Sequence, residues 1–241
     1  MNAQDRTEAP GRLIGVGLGP GDPELLTLRA ARRIREARVV AYPVLERGES
    51  LARSIARDFI AAGAIELPIV VPMTHDRAPA QRAYDRAAAA IAGHLSAGTD
   101  VVTLCEGDPL FYGSFMYLHA RLGDRFPVEV VPGVSSLGAG TAAAQLPLVA
   151  RNECLTVLPA PLEDSLLRRR LADADAAVLM KVGRHLGRVR GLLGEMGLLS
   201  GATYVERASM AGARVLPLAE APDPAPYFSM ILVTKGADPW L

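Results

Sequence analysis

The sequence predicts an α/β protein of two domains, the first on a mostly parallel sheet and the second on a mixed sheet, and three observations carry that reading. Residues 101–104, Val-Val-Thr-Leu, are a short β-branched run with the length of a buried parallel strand, and they enter a Gly107-Asp108-Pro109 turn that leads into a helical stretch. At 241 residues the chain is near the size at which one core gives way to two. The βα rhythm restarts after Leu146-Pro147-Leu148, where proline restricts the backbone, which divides the chain into residues 11–146 and 147–241.

The first strand is expected over residues 12–16, running into Gly-Val-Gly-Leu-Gly-Pro-Gly-Asp at 15–22. These alternating glycines look like a dinucleotide fingerprint, but the third glycine of Gly-x-Gly-x-x-Gly would fall at Pro20, and proline disturbs the helix packing that this glycine permits. No Gly-Lys-Ser/Thr follows, so a phosphate-cradling P-loop is excluded too. The remaining reading is a loop whose backbone approaches a ligand closely, and with no Lys or Arg in it the loop suits a ligand without phosphates. Asp22-Pro23 or Thr27 caps the next helix, which carries Leu28, Ala31 and Ile34 on one face.

Residues 38–42 form a second strand closed by Pro43, residues 50–62 have helical spacing, and residues 65–72 are extended. An Ala-rich helix over 79–95 keeps Arg82, Asp85 and Arg86 on its solvated side. In the polar loop at 73–77, His75 either faces a crevice or is simply solvated. At the carboxyl end of the 101–104 strand stand Cys105 and Glu106. Ligands of open α/β sheets bind outside the carboxyl ends of the strands, so the loop that follows is either a ligand loop or an ordinary βα turn.

Residues 128–131 are a strand, followed by Pro-Gly-Val-Ser-Ser and a helix of small residues through Ala144. Ser135 and Ser136 either cap that helix or present its start to a ligand, and side chains this small require another segment or a cofactor packed closely against them. Strands follow at 155–158, 176–182, 203–206 and 229–234, with helices near 163–172 and 185–196. Strand-like runs on either side of Pro222, Pro224 and Pro226 fit an antiparallel end to the second sheet. The basic run Arg168 to Arg170 reads as a solvated helix face.

Composition narrows the function. Half the residues are hydrophobic and 22% charged, as in a globular protein, and 26 Lys plus Arg balance 26 Asp plus Glu. No global field draws the chain to nucleic acid or an anionic membrane. The two cysteines, Cys105 and Cys154, form neither a disulfide framework nor a metal motif, and each reads as a small buried hydrophobe. No metal is expected. The polar first residues lack a signal-peptide core, and no 18-residue apolar run occurs, so a soluble cytoplasmic protein is expected.

Four blocks in order, GVGLGPGDPELLTLRA at 15–30, EGDPLFYGSFMYLH at 106–119, VVPGVSS at 130–136 and YFSMILVTKG at 227–236, resemble the tetrapyrrole methylase family of S-adenosylmethionine-dependent methyltransferases. The resemblance implies two α/β domains with the active-site cleft between them, a tetrapyrrole small-molecule substrate and a homodimer. Within the family, EGDPLFYGSFMYLH, MTHDR at 73–77 and VLMKVGRH at 178–185 are most similar to members that act at the C-20 meso carbon. Relatives that methylate uroporphyrinogen carry Gly-Gly-Asp-Pro where this chain has Glu106-Gly107-Asp108-Pro109, which separates the substrates but not the cofactor.

Residue by residue, the resemblance implies cofactor contacts at Pro20, at Glu106, Gly107, Asp108 and Phe111, and at Ser135 and Ser136. Lys181, Val182, Ala208, Ser229 and Met230 match positions around the adenine. The family reaction is an in-line methyl displacement that needs alignment above all, and Glu106 or Tyr112, with Tyr117 and His119 further along, stands where a proton could be removed. For Tyr117 and His119 the alternative is packing. A polycarboxylate substrate held by a neutral protein requires local cations, for which Arg151 and Arg184, with Lys181, are the candidates. A nucleotide-dependent oxidoreductase is the main rival reading, opposed by Pro20 and by Tyr42-Pro43 where an acidic residue would bind ribose. A noncatalytic tetrapyrrole carrier is the other.

Overall fold

The computed structural model describes residues 9–45, 48–72 and 77–236. The chain divides into two compact units, Met1–Ser135 and Ser136–Leu241. In the first, β1 (Leu13–Gly17), α1 (Leu28–Glu36), β2 (Val39–Leu45), α2 (Leu51–Ala56), β3 (Ile65–Val71), α3 (Arg77–Ser96), β4 (Val101–Cys105), α4 (Phe115–Leu122) and β5 (Val128–Val131) follow one another. The strands form one sheet in the order β3-β2-β4-β1-β5, and every pair is parallel. Parallel neighbours need a crossover for each connection, which places helices on the faces and buries β1 and β4 over their whole length. It also gathers the loops that follow β1, β4 and β5 at one end of the sheet.

Two details depart from the sequence reading. Pro43 does not close β2, which runs on to Leu45. The β2–β4 pairing stops at Ala41, so from Tyr42 onward β2 is bonded only to β3, and the missing proline N–H leaves no gap in the ladder. Pro68 is tolerated on β3 because β3 is an edge strand. On α1, Ala31 and Ile34 are buried but Leu28 is 91% exposed, because the helix begins there and Ala30 takes the inward position. Asp22 caps a short 3-10 turn at Pro23–Leu25 and Thr27 separately caps α1, so both proposed caps are used. His75 lies outside the described residues.

The second unit contains α5 (Ser136–Ala144), β6 (Leu155–Pro159), α6 (Asp164–Asp173), β7 (Ala176–Met180), α7 (Leu186–Glu195), β8 (Ala202–Glu206), β9 (Arg214–Pro217) and β10 (Ser229–Thr234). Its sheet has the order β6-β7-β10-β8-β9, with β6–β7 parallel and the other pairs antiparallel. β9 has no counterpart in the sequence reading; it is a short, mostly exposed edge strand that ends in proline. α5 packs on β8 and β10, which is why the chain divides ahead of α5 and not at Pro147. Its small residues make room for β10, since a Cβ on Gly140 would lie 2.6 Å from the Met230 sulfur. The basic run lies on α6, with Arg169 and Arg170 exposed and Arg168 paired with Glu195. No helix among the described residues is long and apolar enough to cross a membrane.

Candidate active site

Three loops meet at the carboxyl end of the first sheet. Gly19 and Gly107 form an antiparallel bridge, the Gly107 N–H donating to the Gly19 carbonyl at 2.7 Å and the Gly19 N–H to that of Gly107 at 3.2 Å. The Leu18 N–H donates to the Cys105 carbonyl at 2.9 Å. Behind this bridge the chain is too tight for side chains. A Cβ on Gly133 would lie 2.0 Å from the Gly107 oxygen and 2.9 Å from the Gly17 Cα, and one on Gly17 would lie 2.5 Å from the Gly133 nitrogen. Gly17 therefore serves an approach of chain to chain, where the sequence suggested an approach of chain to ligand.

Asp108 ties these loops together. One carboxylate oxygen accepts from the Leu110 and Phe111 N–H groups at 2.9 and 3.1 Å, and the other accepts from the Gly133 N–H at 3.1 Å. The carboxylate is thus spent on the chain itself. Gly107 has another role: its φ of +67° is one that favours glycine, and a Cβ there would meet nothing within 4 Å. The loop is accordingly open above Gly107 and closed below it.

Beyond Asp108 the chain exposes Phe111 and Tyr112, 40% and 43% accessible, with rings edge to face at 5.2 Å. Tyr112 holds φ at +57°, a conformation that costs a non-glycine residue about 1–2 kcal/mol. Strain of this kind persists where the surroundings impose it, and it concentrates at functional sites. Glu106, half-buried, has its carboxyl pushed above the usual range by burial, against the pull of its own N–H and that of Ala52. A carboxylate raised in this way is better suited to taking a proton near neutrality.

Under the loop lies Tyr84 of α3, buried and pushed up to about 12 by that burial, with a hydrogen bond to Ser114 opposing the shift. The Ser114 hydroxyl is 3.7 Å from the Cys105 sulfur, and burial raises the Cys105 thiol, so this cysteine is inert packing. Tyr117 stacks on Tyr84 with ring centroids 4.9 Å apart, and His119 lies edge-on to Phe115 at 6.0 Å. Both side chains make ring contacts while remaining exposed. Tyr84 escaped the sequence reading, although an isolated tyrosine in an alanine-rich helix was a visible signal.

In the second unit, Lys181 and Val182 follow β7, Ala208 follows β8, and Ser229 and Met230 begin β10. The side chains of Val182, Ala208 and Met230 belong to the core. Ser229 donates its hydroxyl to the Pro226 carbonyl at 2.7 Å. Lys181 has φ of +59° and is exposed, as is Arg184. Arg151 is not brought to them. β6 runs parallel to β7, so Arg151 precedes the amino end of one strand while Lys181 and Arg184 follow the carboxyl end of its neighbour. Ser135 and Ser136, both half-buried, fall at the division between the units, and Pro20 is half-buried between Gly19 and Gly21.

The loops suit a cofactor without phosphates: the stretch from Gly15 to Asp22 holds no cation, the face above Gly107 is open, and two aromatic rings border it. Among the described residues no three His, Cys, Asp or Glu side chains gather as metal ligands would.

Comparison with known proteins bears on this geometry. Residues 12–222 match the model of the tetrapyrrole (corrin/porphyrin) methylases. The cobalamin biosynthesis protein CobIJ of Mycobacterium tuberculosis is 50% identical over 95% of this chain, which spans only 47% of that protein. The precorrin-2 C(20)-methyltransferase of a Sinorhizobium species is 46% identical over 95% of this chain and 97% of its own length. Among solved structures, the uroporphyrin-III C-methyltransferase of Thermus thermophilus, complexed with S-adenosyl homocysteine, superposes with a TM-score of 0.64 at 28% identity, covering 93% of this chain and 98% of that one.

Proposed function

We propose, from the premise that this chain belongs to the tetrapyrrole (corrin/porphyrin) methylases, S-adenosylmethionine-dependent enzymes, that it methylates C-20 of precorrin-2 to give precorrin-3A in corrin biosynthesis. The observation that carries the step is the end-to-end match, at 46% identity, to a relative named for it. Glu106 ahead of Gly107-Asp108-Pro109 supports the same reading. The match to CobIJ concerns about half of that longer protein, so its whole activity is not carried over. The cobalt-loaded form of the substrate is the alternative within the family. The protein is further proposed to act as a cytoplasmic homodimer.

In this reading Pro20, Gly107, Phe111, Ser135, Ser136, Lys181, Val182, Ala208, Ser229 and Met230 border the cofactor, with Asp108 holding the loop around it. When bound, S-adenosylmethionine supplies a methyl group on a positively charged sulfur and leaves as the neutral homocysteine product. The chain contributes alignment, worth roughly 7–11 kcal/mol where attack geometry is well held. The meso carbon is electron-rich, so no covalent nucleophile is needed. Glu106, or Tyr112 further along the same loop, takes the proton that the carbon releases once the new bond has formed. Substrate carboxylates are assigned to Arg184 in the second unit, and Tyr117 and His119 in the first unit are also assigned to the substrate.

Calorimetry tests the cofactor. S-adenosylhomocysteine is expected to bind with about one site per chain and NAD not at all, since Pro20 and the cation-free loop deny a pyrophosphate its cradle. Tight NAD binding without binding of the homocysteine product would overturn the assignment.

A further inference from the structure

The edge of the second sheet where β7 and β8 end and β10 begins gathers, around Lys181, two arginines and two aromatic rings that the cofactor assignment leaves unused. Lys181 follows β7, with Arg184 just beyond, Arg207 follows β8, and Tyr227 and Phe228 lead into β10. Register sets Lys181, Phe228 and Arg207 on neighbouring chain ends. Met230 pairs with Met180 and Ser229 with Glu206, and the Arg207 N–H donates to the Phe228 carbonyl at 2.8 Å. Phe228 thus stands between the chain ends that bear Lys181 and Arg207.

The two rings meet edge to face at 5.0 Å and are 63% and 41% accessible, a large aromatic surface to leave in water. Lys181, Arg207 and Ser209 hold φ at +59°, +51° and +65°, so backbone strain is concentrated on this one edge. The Arg207 guanidinium lies over Gly212, where an added Cβ would sit 3.6 Å from Nη1. The neighbouring carboxylate, Glu206, is already engaged: it accepts from the Tyr204 hydroxyl at 2.5 Å and from Arg214 Nε at 2.7 Å, and Arg214 holds it below the usual carboxylate range. The charge of Glu206 is thus engaged chiefly by Arg214, with Arg207 adding to its field, and the edge presents cations beside an exposed aromatic pair.

We propose that this edge holds the tetrapyrrole, Phe228 lying against part of one face of the macrocycle and Tyr227, edge to face with it, against the rim, while Arg207, with Arg184, forks onto its carboxylates. The proposal rests on the methylase reading and deepens it by naming substrate-binding residues, with Arg207 standing where Arg151 does not reach. A planar polyanion needs both elements, since guanidinium forks match carboxylates bidentately and an apolar ring face complements the macrocycle.

The test uses the full chain and the variants Arg207→Ala, Arg207→Lys, Phe228→Ala and Phe228→Tyr. Uroporphyrin, a stable tetrapyrrole polycarboxylate, is the binding probe, titrated by its visible absorbance; methyl transfer to precorrin-2 gives KM and kcat, and calorimetry gives S-adenosylhomocysteine affinity. Arg207→Ala is expected to weaken the probe and raise KM by about tenfold, the low end for a charged hydrogen bond, and Phe228→Ala to do so about fivefold through the lost aromatic contact, with kcat and product affinity unchanged. Arg207→Lys and Phe228→Tyr recover part of the loss, and added salt weakens the probe less in Arg207→Ala than in the wild type. Wild-type KM in both alanine variants, or equal loss of probe and product binding, overturns the proposal. A wild-type protein that methylates no tetrapyrrole overturns instead the reading on which it rests.

Discussion

Gly133→Ala is expected to cost the first unit about 3 kcal/mol, the upper part of the range for overpacking, and to lower its melting temperature on the order of 10 °C. The added Cβ would lie 2.0 Å from the Gly107 carbonyl oxygen and 2.9 Å from the Gly17 Cα, and both are backbone, so no flexible side chain can yield. The loops after β1, β4 and β5 must part, and S-adenosylhomocysteine affinity should fall with stability. Two controls isolate the cause. Gly107→Ala meets open space and carries only the left-handed penalty of about 1–2 kcal/mol. Gly93→Ala, in α3 with nothing within 4 Å, should gain about 0.5–1 kcal/mol. Equal melting temperatures for Gly133→Ala and the wild type in differential scanning calorimetry would show that the loops do not meet as described.

Asp108→Ala is expected to weaken S-adenosylhomocysteine binding about a hundredfold and to destabilise the first unit as well. The variant loses three hydrogen bonds to a carboxylate, from Leu110, Phe111 and Gly133, and bonds to charged groups are worth about 1.5–3 kcal/mol each without being additive. The resemblance implies a cofactor contact at Asp108, and its carboxylate braces the loop, so both readouts should move together. Asp108→Asn sharpens the point. Its single carbonyl oxygen can serve the Leu110 and Phe111 donors or the Gly133 donor, and the amide group then faces the other N–H as donor against donor. Partial loss of binding with the fold retained is therefore expected for Asn. Unchanged stability and binding in the alanine variant, measured by thermal melts and calorimetry, would make Asp108 a turn residue only.

Much of the fold was legible because buried strands are β-branched runs. The strands at 128–131 and 229–234 have the bounds read from sequence, and the antiparallel end of the second sheet was visible in the prolines that precede β10. β9 was not legible, since Arg-Val-Leu-Pro on an exposed edge shows no alternation to mark a buried face. Pro43 misled because a proline stops a ladder only on the side where its N–H is needed, and pairing sides are a tertiary fact.

The place of the candidate site was legible; its internal wiring was not. Gly-rich and Gly-Asp-Pro sequences mark loops, but nothing local says that Gly17, Gly107 and Gly133, far apart in the chain, press on one another. The arginines show a related limit. Arg151 and Arg184 both flank strands of one sheet, yet they lie at opposite ends of adjacent parallel strands, and strand direction is not written in either segment. Tyr227 and Phe228 entered only as the start of the block at 227–236, although an adjacent aromatic pair running into a strand has no obvious core position for both rings.

Transfer of a methyl group to the C-20 meso carbon of a reduced tetrapyrrole is the reaction proposed for this chain. It is tested most directly by incubating the protein with precorrin-2 and S-adenosylmethionine labelled with carbon-13 in the methyl group, then recording the carbon NMR spectrum of the product. One labelled methyl resonance is expected, attached to the meso bridge at C-20. A label on a pyrrole-ring carbon, or no label in the tetrapyrrole at all, would contradict it.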